Sequence, residues 1–266
     1  MAIEAITDDW SLAPFSLTGQ NAFVTGGGSG IGRATARLLA AVGAKVIVSD
    51  LIAESAAIVA GEITAAGGEA RAVQCDVSSE EQIQEAFREA DAWFGALDVL
   101  ACVAAYRTKH ETMTMTVEQW DTMHAVIARG TYLCIRNAVP RMRDSGRGGS
   151  IVNVSSVAAE RPVVFDSIDY DSAKAGVNAI TRAAAAEFAQ YGIRVNAIMP
   201  RATNRPGAPP MGGVKPTGPF TLPGRMPMKR IAEPIEQARA VLFLASPASS
   251  YISGICMPVD GAGLLS

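Results

Sequence analysis

The chain is poor in the residues from which metal sites and disulfide frameworks are built. Only two histidines, His110 and His124, occur among 266 residues, and the cysteines form no CxxC pair. We therefore expect no metal site, and we interpret the cysteines as reduced core thiols of a cytoplasmic protein. The cysteines are Cys75, Cys102, Cys134 and Cys256.

Charge and long apolar runs are also scarce. Charged residues make up 18% of the chain and the formal net charge is -3, which argues against the basic surface that nucleic-acid binding requires. No uncharged apolar run reaches the roughly 18 residues of a membrane span. The amino-terminal residues 1–17 contain Glu4, Asp8 and Asp9 but no lysine or arginine, unlike the basic start of a signal peptide. We expect neither nucleic acid nor membrane as a partner.

Apolar residues, by contrast, make up 49% of the chain, enough for the core of one large domain. Short apolar runs alternate with helical segments, which predicts an α/β fold, a doubly wound parallel sheet with helices on both faces. We predict a single domain over 1–266, with an amino-terminal extension at 1–17. The seven predicted strands are 21–25, 45–50, 70–75, 97–103, 150–155, 193–198 and 255–260.

Two predicted helices begin with a capping box, in which a hydroxyl residue precedes an acid or amide by three positions. Ser78 and Glu81 show this pattern before a helix that runs to about residue 94, and Thr116 and Gln119 show it before a long helix. The other predicted helices are 31–42, 53–66 and 170–191, and the long helix reaches about residue 143.

Residues 200–233 interrupt this alternation. They are rich in proline and glycine and follow a strand's carboxyl end, so we predict a substrate lid there. The cations of the segment indicate either attraction for an anionic substrate or a solvated basic loop. Its apolar residues indicate either a hydrophobic substrate or packing on the domain. The cations are Arg201, Arg205, Lys215, Arg225, Lys229 and Arg230, and the apolar residues are Met211, Phe220, Leu222, Met226 and Met228.

Tyr170 and Lys174 lie four residues apart and would share one face of a helix. A free phenol has a pKa of about 10, and a nearby ammonium lowers it. A tyrosine of this kind can give a proton to a carbonyl oxygen or take one from an alcohol. The same spacing also occurs on ordinary exposed helices, so the other motifs of the chain have to show whether this pair is functional.

A glycine-rich turn at residues 25–32 joins the first strand to the first helix and contains Gly26, Gly30 and Gly32. Glycines allow backbone amides to approach a pyrophosphate at a helix amino terminus, although the GxGxxG pattern is not matched. Asp50 ends the second strand, where a carboxylate binds the ribose of NAD and repels the 2′-phosphate of NADP. Asp76 ends the third strand, where it could hold the adenine or cap the next helix.

In this order, the glycine turn, the two acids and the Tyr170–Lys174 pair resemble the classical short-chain dehydrogenase/reductase family over about residues 17–262. Further similar stretches are Leu-Asp-Val-Leu at 97–100, Ile-Val-Asn-Val-Ser-Ser at 151–156, Val-Asn-Ala at 195–197 and Val-Asp-Gly at 259–261. The resemblance implies a Rossmann-type fold and an NAD-dependent oxidoreductase that interconverts a small secondary alcohol and its ketone. The apolar lid favours a hydrophobic or cyclic substrate.

The resemblance also implies roles for individual residues. Tyr170 is the acid/base, Lys174 lowers its pKa and holds the nicotinamide ribose, and Ser156, or less closely Ser155, binds the substrate oxygen. The implied cofactor contacts are Gly26, Ser29, Gly30, Ile31, Gly32, Asp50, Leu51, Asp76, Val77, Ala104, Tyr170, Lys174, Pro200 and Thr203. A homotetramer is expected through the two long helices and the carboxyl-terminal segment. In the second of these helices, Ala183 to Ala186 either permit close helix packing or face the sheet.

Three stretches depart from the family. Residues 102–105 read Cys-Val-Ala-Ala instead of Asn-Asn-Ala-Gly, Ile127 replaces an asparagine that helps to hold a relay water, and Arg201 replaces a glycine after Pro200. His124 could substitute in the relay or could simply be packed. Because fold does not determine function, a non-catalytic dinucleotide-binding protein remains the alternative.

Overall fold

Seven parallel strands form one sheet in the order β3-β2-β1-β4-β5-β6-β7. The computed structural model describes residues 11–204 and 226–266. All seven predicted strands are confirmed, with ends within two residues of those expected. The strands are β1 Asn21–Thr25, β2 Lys45–Asp50, β3 Glu69–Gln74, β4 Val99–Cys102, β5 Gly149–Val154, β6 Ile193–Pro200 and β7 Cys256–Val259.

Helices cover both faces of this sheet. They are α1 Gly30–Ala41, α2 Ala53–Ala65, α3 Glu80–Phe94, α4 Val117–His124, α5 Gly130–Asp144, α6 Ile168–Phe188 and α7 Pro234–Ala245. A π-helical segment, Ala125–Arg129, joins α4 to α5, so the long helix predicted from the sequence is continuous but contains a π-helical turn. In the described residues no helix is long and apolar enough to span a membrane.

The central strands are mostly apolar because both of their faces are buried. Phe23 of β1 belongs to a core formed with α3, α5 and α6, whereas its neighbours Ala22 and Val24 belong to a core formed with α1, α2 and α7. Successive strand residues point to opposite faces, so one strand contributes to both cores. Ala184 and Ala185 of α6 face the sheet, while Ala183 and Ala186 are exposed.

The strand order reverses between β1 and β4, and this reversal positions the site. Parallel neighbours β1 and β4 send their following loops to opposite sides, which opens a crevice at their carboxyl ends. Thr25 marks this point, because its Oγ1 accepts hydrogen bonds from the backbone N–H groups of Val103 and Ala104 at 3.1 and 3.2 Å.

Two local expectations were wrong. Ser79, not Ser78, caps α3: its Oγ accepts a bond from the Gln82 N–H, since the chain turns one residue later than the capping-box pattern indicated. Helix α7 was not predicted at all, although Glu233 and Glu236 form a capping box around Pro234 at the first helical position. The Thr116–Gln119 capping box is confirmed.

Candidate active site

The glycine turn brings two loops closer together than side chains would allow. Gly26 has a φ of 63°, and a Cβ added there would lie 2.8 Å from the Cα of Ala104. A Cβ at Gly32 would overlap the carbonyl oxygen of Gly26. No acid lies in the first turn of α1, and the Ser29 side chain makes no capping bond. The backbone amides there fit the phosphates of a dinucleotide.

Asp50 lies at the end of β2, as predicted, and contacts this turn. Its Oδ2 accepts a hydrogen bond from the Gly28 N–H at 2.9 Å and its Oδ1 accepts one from the Ile52 N–H at 3.0 Å. These bonds hold a negative charge beside the predicted phosphate position, while the next residue, Leu51, is exposed. A cofactor with a further phosphate on the ribose would meet this charge.

Asp76 is bonded into the turn that leads to α3. Its Oδ1 accepts the Ser78 N–H at 2.8 Å, and its own N–H donates to Oε1 of Gln82 at 2.9 Å. The neighbouring Val77 is buried against Gly130, where an added Cβ would lie 2.8 Å from the Val77 carbonyl oxygen. Asp76 thus stabilises the turn before α3, whose cap is Ser79, and an adenine contact stays a prediction.

Tyr170 and Lys174 lie together on α6, with the lysine Nζ 5.7 Å from the centre of the tyrosine ring. The Lys174 side chain is buried, and its Nζ donates a 2.6 Å hydrogen bond to the carbonyl oxygen of Val154 at the end of β5. Burial lowers the pKa of Lys174, and Tyr170 opposes that shift. The ammonium is therefore held in a fixed position behind the phenol.

The two serines after β5 have different partners. Ser155 is buried, and its Oγ donates to the backbone oxygen of Lys174 at 3.1 Å. Ser156 accepts the Ala158 N–H at 3.1 Å, and its side chain helps to lower the pKa of Tyr170. Of the two hydroxyls, that of Ser156 therefore acts on the tyrosine, while Ser155 supports the backbone of α6.

A residue that the sequence analysis did not single out, Arg107, completes the surroundings of Tyr170. Its guanidinium carbon lies 4.1 Å from the ring centre. Burial, the largest effect, raises the pKa of Tyr170, but the charges of Lys174 and Arg107 and hydrogen bonds from Ser156 and Arg107 outweigh it. The pKa of Tyr170 is lowered as a result. Arg107 follows β4 by only five residues, which is the one sequence signal that it is near the crevice.

Ile127 occupies an apolar cluster rather than a polar relay. It is fully buried in the π-helical segment, where it packs with Met123, Ala173 and Val177, and Tyr170 packs against the same cluster. An isoleucine cannot bind water, so this side of the tyrosine is closed to the family's relay.

His124 is a packed histidine. Its Nε2 lies 3.1 Å from the Ser172 Oγ, and its ring stacks on Trp120 with the ring centres 4.5 Å apart. Ser172 in turn donates to the Asp169 carbonyl oxygen. These contacts hold α4 against α6, and in the described part of the chain none of them reaches Tyr170 or Lys174.

The base of the predicted lid lies beside β6. Pro200 is the buried end of β6, and Thr203 pairs with Ala232 across a parallel bridge. Arg230 forms two 2.7 Å bonds with the Glu236 carboxylate, so this cation is neutralised. Four further predicted lid residues are described, namely Arg201, Met226, Met228 and Lys229, whereas six lie outside the described part of the chain, namely Arg205, Met211, Lys215, Phe220, Leu222 and Arg225.

Comparisons with known proteins agree with this geometry. A family model described as enoyl-(acyl carrier protein) reductase matches residues 26–263. A 2,5-dichloro-2,5-cyclohexadiene-1,4-diol dehydrogenase of Sphingobium indicum is 37% identical over 245 residues, covering 92% of this chain and 96% of that protein. A cis-4-hydroxycyclohexanecarboxylate dehydrogenase of Sinomonas cyclohexanicum is 40% identical over 241 residues, covering 90% of this chain and 94% of that protein.

A solved structure also superposes over nearly the full length. It is 7α-hydroxysteroid dehydrogenase complexed with NADH and 7-oxo glycochenodeoxycholic acid, with a TM-score of 0.86 and 30% identity over 96% of this chain and 98% of that one. Both the family model and these similar proteins span the glycine turn and α6. The chain belongs to the short-chain dehydrogenase/reductase family.

Proposed function

We propose that the protein is an NAD-dependent alcohol dehydrogenase or ketone reductase that interconverts a hydrophobic or cyclic secondary alcohol and its ketone. One observation carries the proposal. The Ser156 side chain and two cations beside the ring act on the Tyr170 phenol, and its pKa is lowered. A phenol of lowered pKa suits proton exchange with an alcohol near neutral pH.

In the oxidation direction, the Tyr170 phenolate takes the proton from the alcohol oxygen. In the reduction direction, the phenol returns that proton to the ketone oxygen. Ser156 donates a hydrogen bond to the same substrate oxygen and so orients it, and Lys174 stabilises the phenolate from behind. NAD, when bound, supplies the hydride acceptor, and NADH supplies the donor.

The residues of the crevice fit a dinucleotide. Glycine at positions 26 and 32 lets the turn pack against Ala104 and against its own backbone. This tight turn leads into the amino terminus of α1, whose backbone amides suit a pyrophosphate. Asp50, which ends β2, would bind the adenosine ribose and disfavour NADP. Main-chain groups of Ala104 and the side chain of Lys174 would hold the nicotinamide end. Ser29, Ile31, Leu51, Val77, Pro200 and Thr203 remain predicted contacts.

The substrate class is supported by the similar proteins. Two of them are named for a cyclic diol and a cyclic hydroxy acid, and the third was solved with a keto steroid conjugate. A cyclic secondary alcohol is what these substrates share. The non-catalytic alternative is kept because Ile127 and residues 102–105 depart from the family, although a binding protein has no need of a tuned phenol.

Replacing Tyr170 tests the proposal. Tyr170→Phe should lower NAD-linked oxidation of cyclic alcohols by about 10³-fold or more, because no other group can take the proton. NADH affinity, measured by fluorescence titration, should stay within about twofold of the original because the cofactor's main contacts lie elsewhere. Tyr251→Phe, at a fully exposed tyrosine, is the matched control.

Two results would contradict the proposal. Undiminished turnover by Tyr170→Phe would remove the tyrosine from the mechanism. Tight NADH binding without turnover of any member of a broad alcohol and ketone panel would favour the non-catalytic alternative.

We also propose the homotetramer that the family resemblance implies. Exposed apolar residues on the outer surfaces of α4 and α5, Val117 and Tyr132, are consistent with a subunit contact there. Light scattering during size-exclusion chromatography tests it, and a monomer at all concentrations would reject it.

A further inference from the structure

The loop between β4 and α4, residues 103–116, is fastened to the start of α6. His110 Nδ1 lies 3.0 Å from Asp169 Oδ2, and both side chains are buried. Lys109 Nζ lies 3.3 Å from the Asp166 carboxylate, which also accepts the Thr112 N–H at 3.3 Å. Asp169 immediately precedes Tyr170, so these bonds fix the loop relative to the tyrosine.

Arg107 lies in this fastened loop and is exposed, with its guanidinium over the Tyr170 ring at 4.1 Å. Arg141 also lies over an aromatic ring, that of Phe87 at 5.1 Å, but it forms an ion pair with Asp91. Among the described residues Arg107 has no such carboxylate within ion-pair distance. Its positive charge acts on the tyrosine and also on the Asp171 carboxyl, where it opposes the rise in pKa.

Lys174 provides a second cation beside Tyr170. It is buried with its Nζ bound to a backbone oxygen, and burial lowers its pKa, which weakens the hold on its charge. The apolar cluster around Ile127 also packs against Tyr170. A guanidinium keeps its charge at any ordinary pH, so Arg107 supplies a permanent cation over the ring.

We propose that Arg107 is a further catalytic residue, whose guanidinium lies over the Tyr170 ring and stabilises the phenolate that takes the proton from the substrate alcohol. The inference rests on the proposed function. The alcohol O–H bond breaks as the proton forms a bond to the Tyr170 oxygen. Hydride passes to NAD from the carbon that bears the alcohol oxygen. Arg107 neither gives nor takes a proton, because a guanidinium does not lose one in proteins.

Other ionisable groups around Tyr170 have to be separated from this effect. They are Lys174, Asp169 and Asp171 on α6, His110 on the fastened loop and His124 on α4. Burial raises the pKa of Asp171 to about 6, with the Ser167 hydrogen bond and the Arg107 charge opposing the shift. Arg107 does not titrate, so its replacement moves the tyrosine midpoint without adding a new one.

A titration of the phenol tests the proposal without any turnover. The ultraviolet absorbance of tyrosinate is followed against pH in the original protein and in Arg107→Met, each with and without Tyr170→Phe, so that the difference isolates Tyr170. Arg107→Met should raise the midpoint by about one pH unit, and Arg107→Lys by less, since a nearby opposite charge lowers an acid's pKa by one to three units.

A matched control removes a cation from an aromatic ring elsewhere. Arg71 is a residue of β3, and its guanidinium carbon lies 5.1 Å from the centre of the Trp93 ring. Arg71→Met makes the same change in net charge, and it should leave the Tyr170 midpoint unchanged. An Arg107→Met midpoint equal to that of Arg71→Met would overturn the proposal.

The pH profile of NAD-linked oxidation is the second measurement. With cyclohexanol, a neutral substrate, Arg107→Met should lower kcat/KM about tenfold near pH 7 and regain activity about one unit higher in pH, because one pKa unit changes the phenolate fraction tenfold. NADH affinity should not change.

Other outcomes separate the alternatives. A loss confined to cis-4-hydroxycyclohexanecarboxylate, with the Tyr170 midpoint unmoved, would overturn the proposal and assign Arg107 to binding a substrate carboxylate. If the original protein oxidises no alcohol, the proposed function fails and with it the catalytic role, whereas a shifted midpoint would still show the Arg107–Tyr170 interaction.

Discussion

The cofactor end and the catalytic end of the crevice are built in different ways. At the cofactor end, backbone atoms of the glycine turn approach Ala104 and the first turn of α1 so closely that Cβ atoms at Gly26 and Gly32 would collide. At the catalytic end, Tyr170 is surrounded by long side chains from three segments, Lys174, Ser156 and Arg107. Backbone geometry restricts the sequence to glycine, whereas a side-chain environment can be assembled from many sequences.

This difference explains where the chain keeps the family pattern and where it departs. The turn at 25–32 and Asp50 match the family, because few residues permit that backbone or place a carboxylate there. The relay position is an isoleucine and a new arginine lies over the ring. The contrast predicts severe effects of small changes at the cofactor end and graded effects at the catalytic end.

The largest effect on cofactor binding should come from one methyl group in the turn. Gly32→Ala places a Cβ against the Gly26 carbonyl oxygen, so α1 has to move away from β1 and the amides lose their alignment. NADH affinity should fall by on the order of 100-fold or more, which corresponds to about 2.7 kcal/mol. Calorimetric or fluorescence titration measures the loss.

A second glycine provides the control. Gly61 lies in α2 with no atom within 4 Å of an added Cβ. Gly61→Ala should raise the free energy of unfolding by about 0.5–1 kcal/mol, since alanine favours a helix, and it should leave NADH affinity unaltered. Equal NADH affinities of Gly32→Ala and Gly61→Ala would contradict the contrast between the two ends of the crevice.

A smaller effect is expected from the charge at the end of β2. Asp50→Ser should raise the ratio of kcat/KM for NADP to that for NAD by about 10- to 100-fold, because repulsion of a 2′-phosphate is relieved and a hydrogen bond to the ribose is lost. Steady-state kinetics with both cofactors measures the ratio.

Asp50→Asn separates the effect of the Asp50 charge from the effect of its hydrogen bonds to the turn. The amide oxygen can still accept the Gly28 or Ile52 N–H, so the turn should stay in place while the repulsion disappears. An unchanged ratio in both variants would reject our assignment of NAD.

A change in stability rather than in cofactor use is expected at Ile127, where the catalytic end meets the core. Ile127→Asn buries an amide in an apolar cluster and should lower the free energy of unfolding by about 1–3 kcal/mol. Ile127→Val, which keeps the site apolar, should cost only about 1 kcal/mol. Denaturant unfolding of both variants measures the difference. If Ile127→Asn is as stable as the original protein, a polar relay fits here, and the structure does not require isoleucine in place of the family's asparagine.

Much of this molecule could be predicted from its sequence. The strands followed from apolar runs bounded by turns, since burial on both faces leaves no polar alternation, and the Tyr170–Lys174 pair followed from helical spacing. Helix α7 could also have been found, because Glu233, Pro234 and Glu236 mark its beginning.

The rest depended on geometry that local patterns do not contain. Ser155 and Ser156 are adjacent, and only the direction of the chain after β5 decides which hydroxyl meets the tyrosine. Arg107 lies in a loop without regular structure, and its position depends on bonds to residues about 60 positions away, such as that between His110 and Asp169. Long-range contacts of this kind follow from the assembled fold.

The buried His110–Asp169 contact has a consequence for how the site accommodates its substrates. It ties the segment that carries Arg107 to the helix that carries Tyr170, so one wall of the reaction chamber is a single rigid piece. Removing either partner would strand a polar group in the interior, which makes gradual variation on that wall costly. Diversification of substrate size among close relatives should therefore avoid this wall.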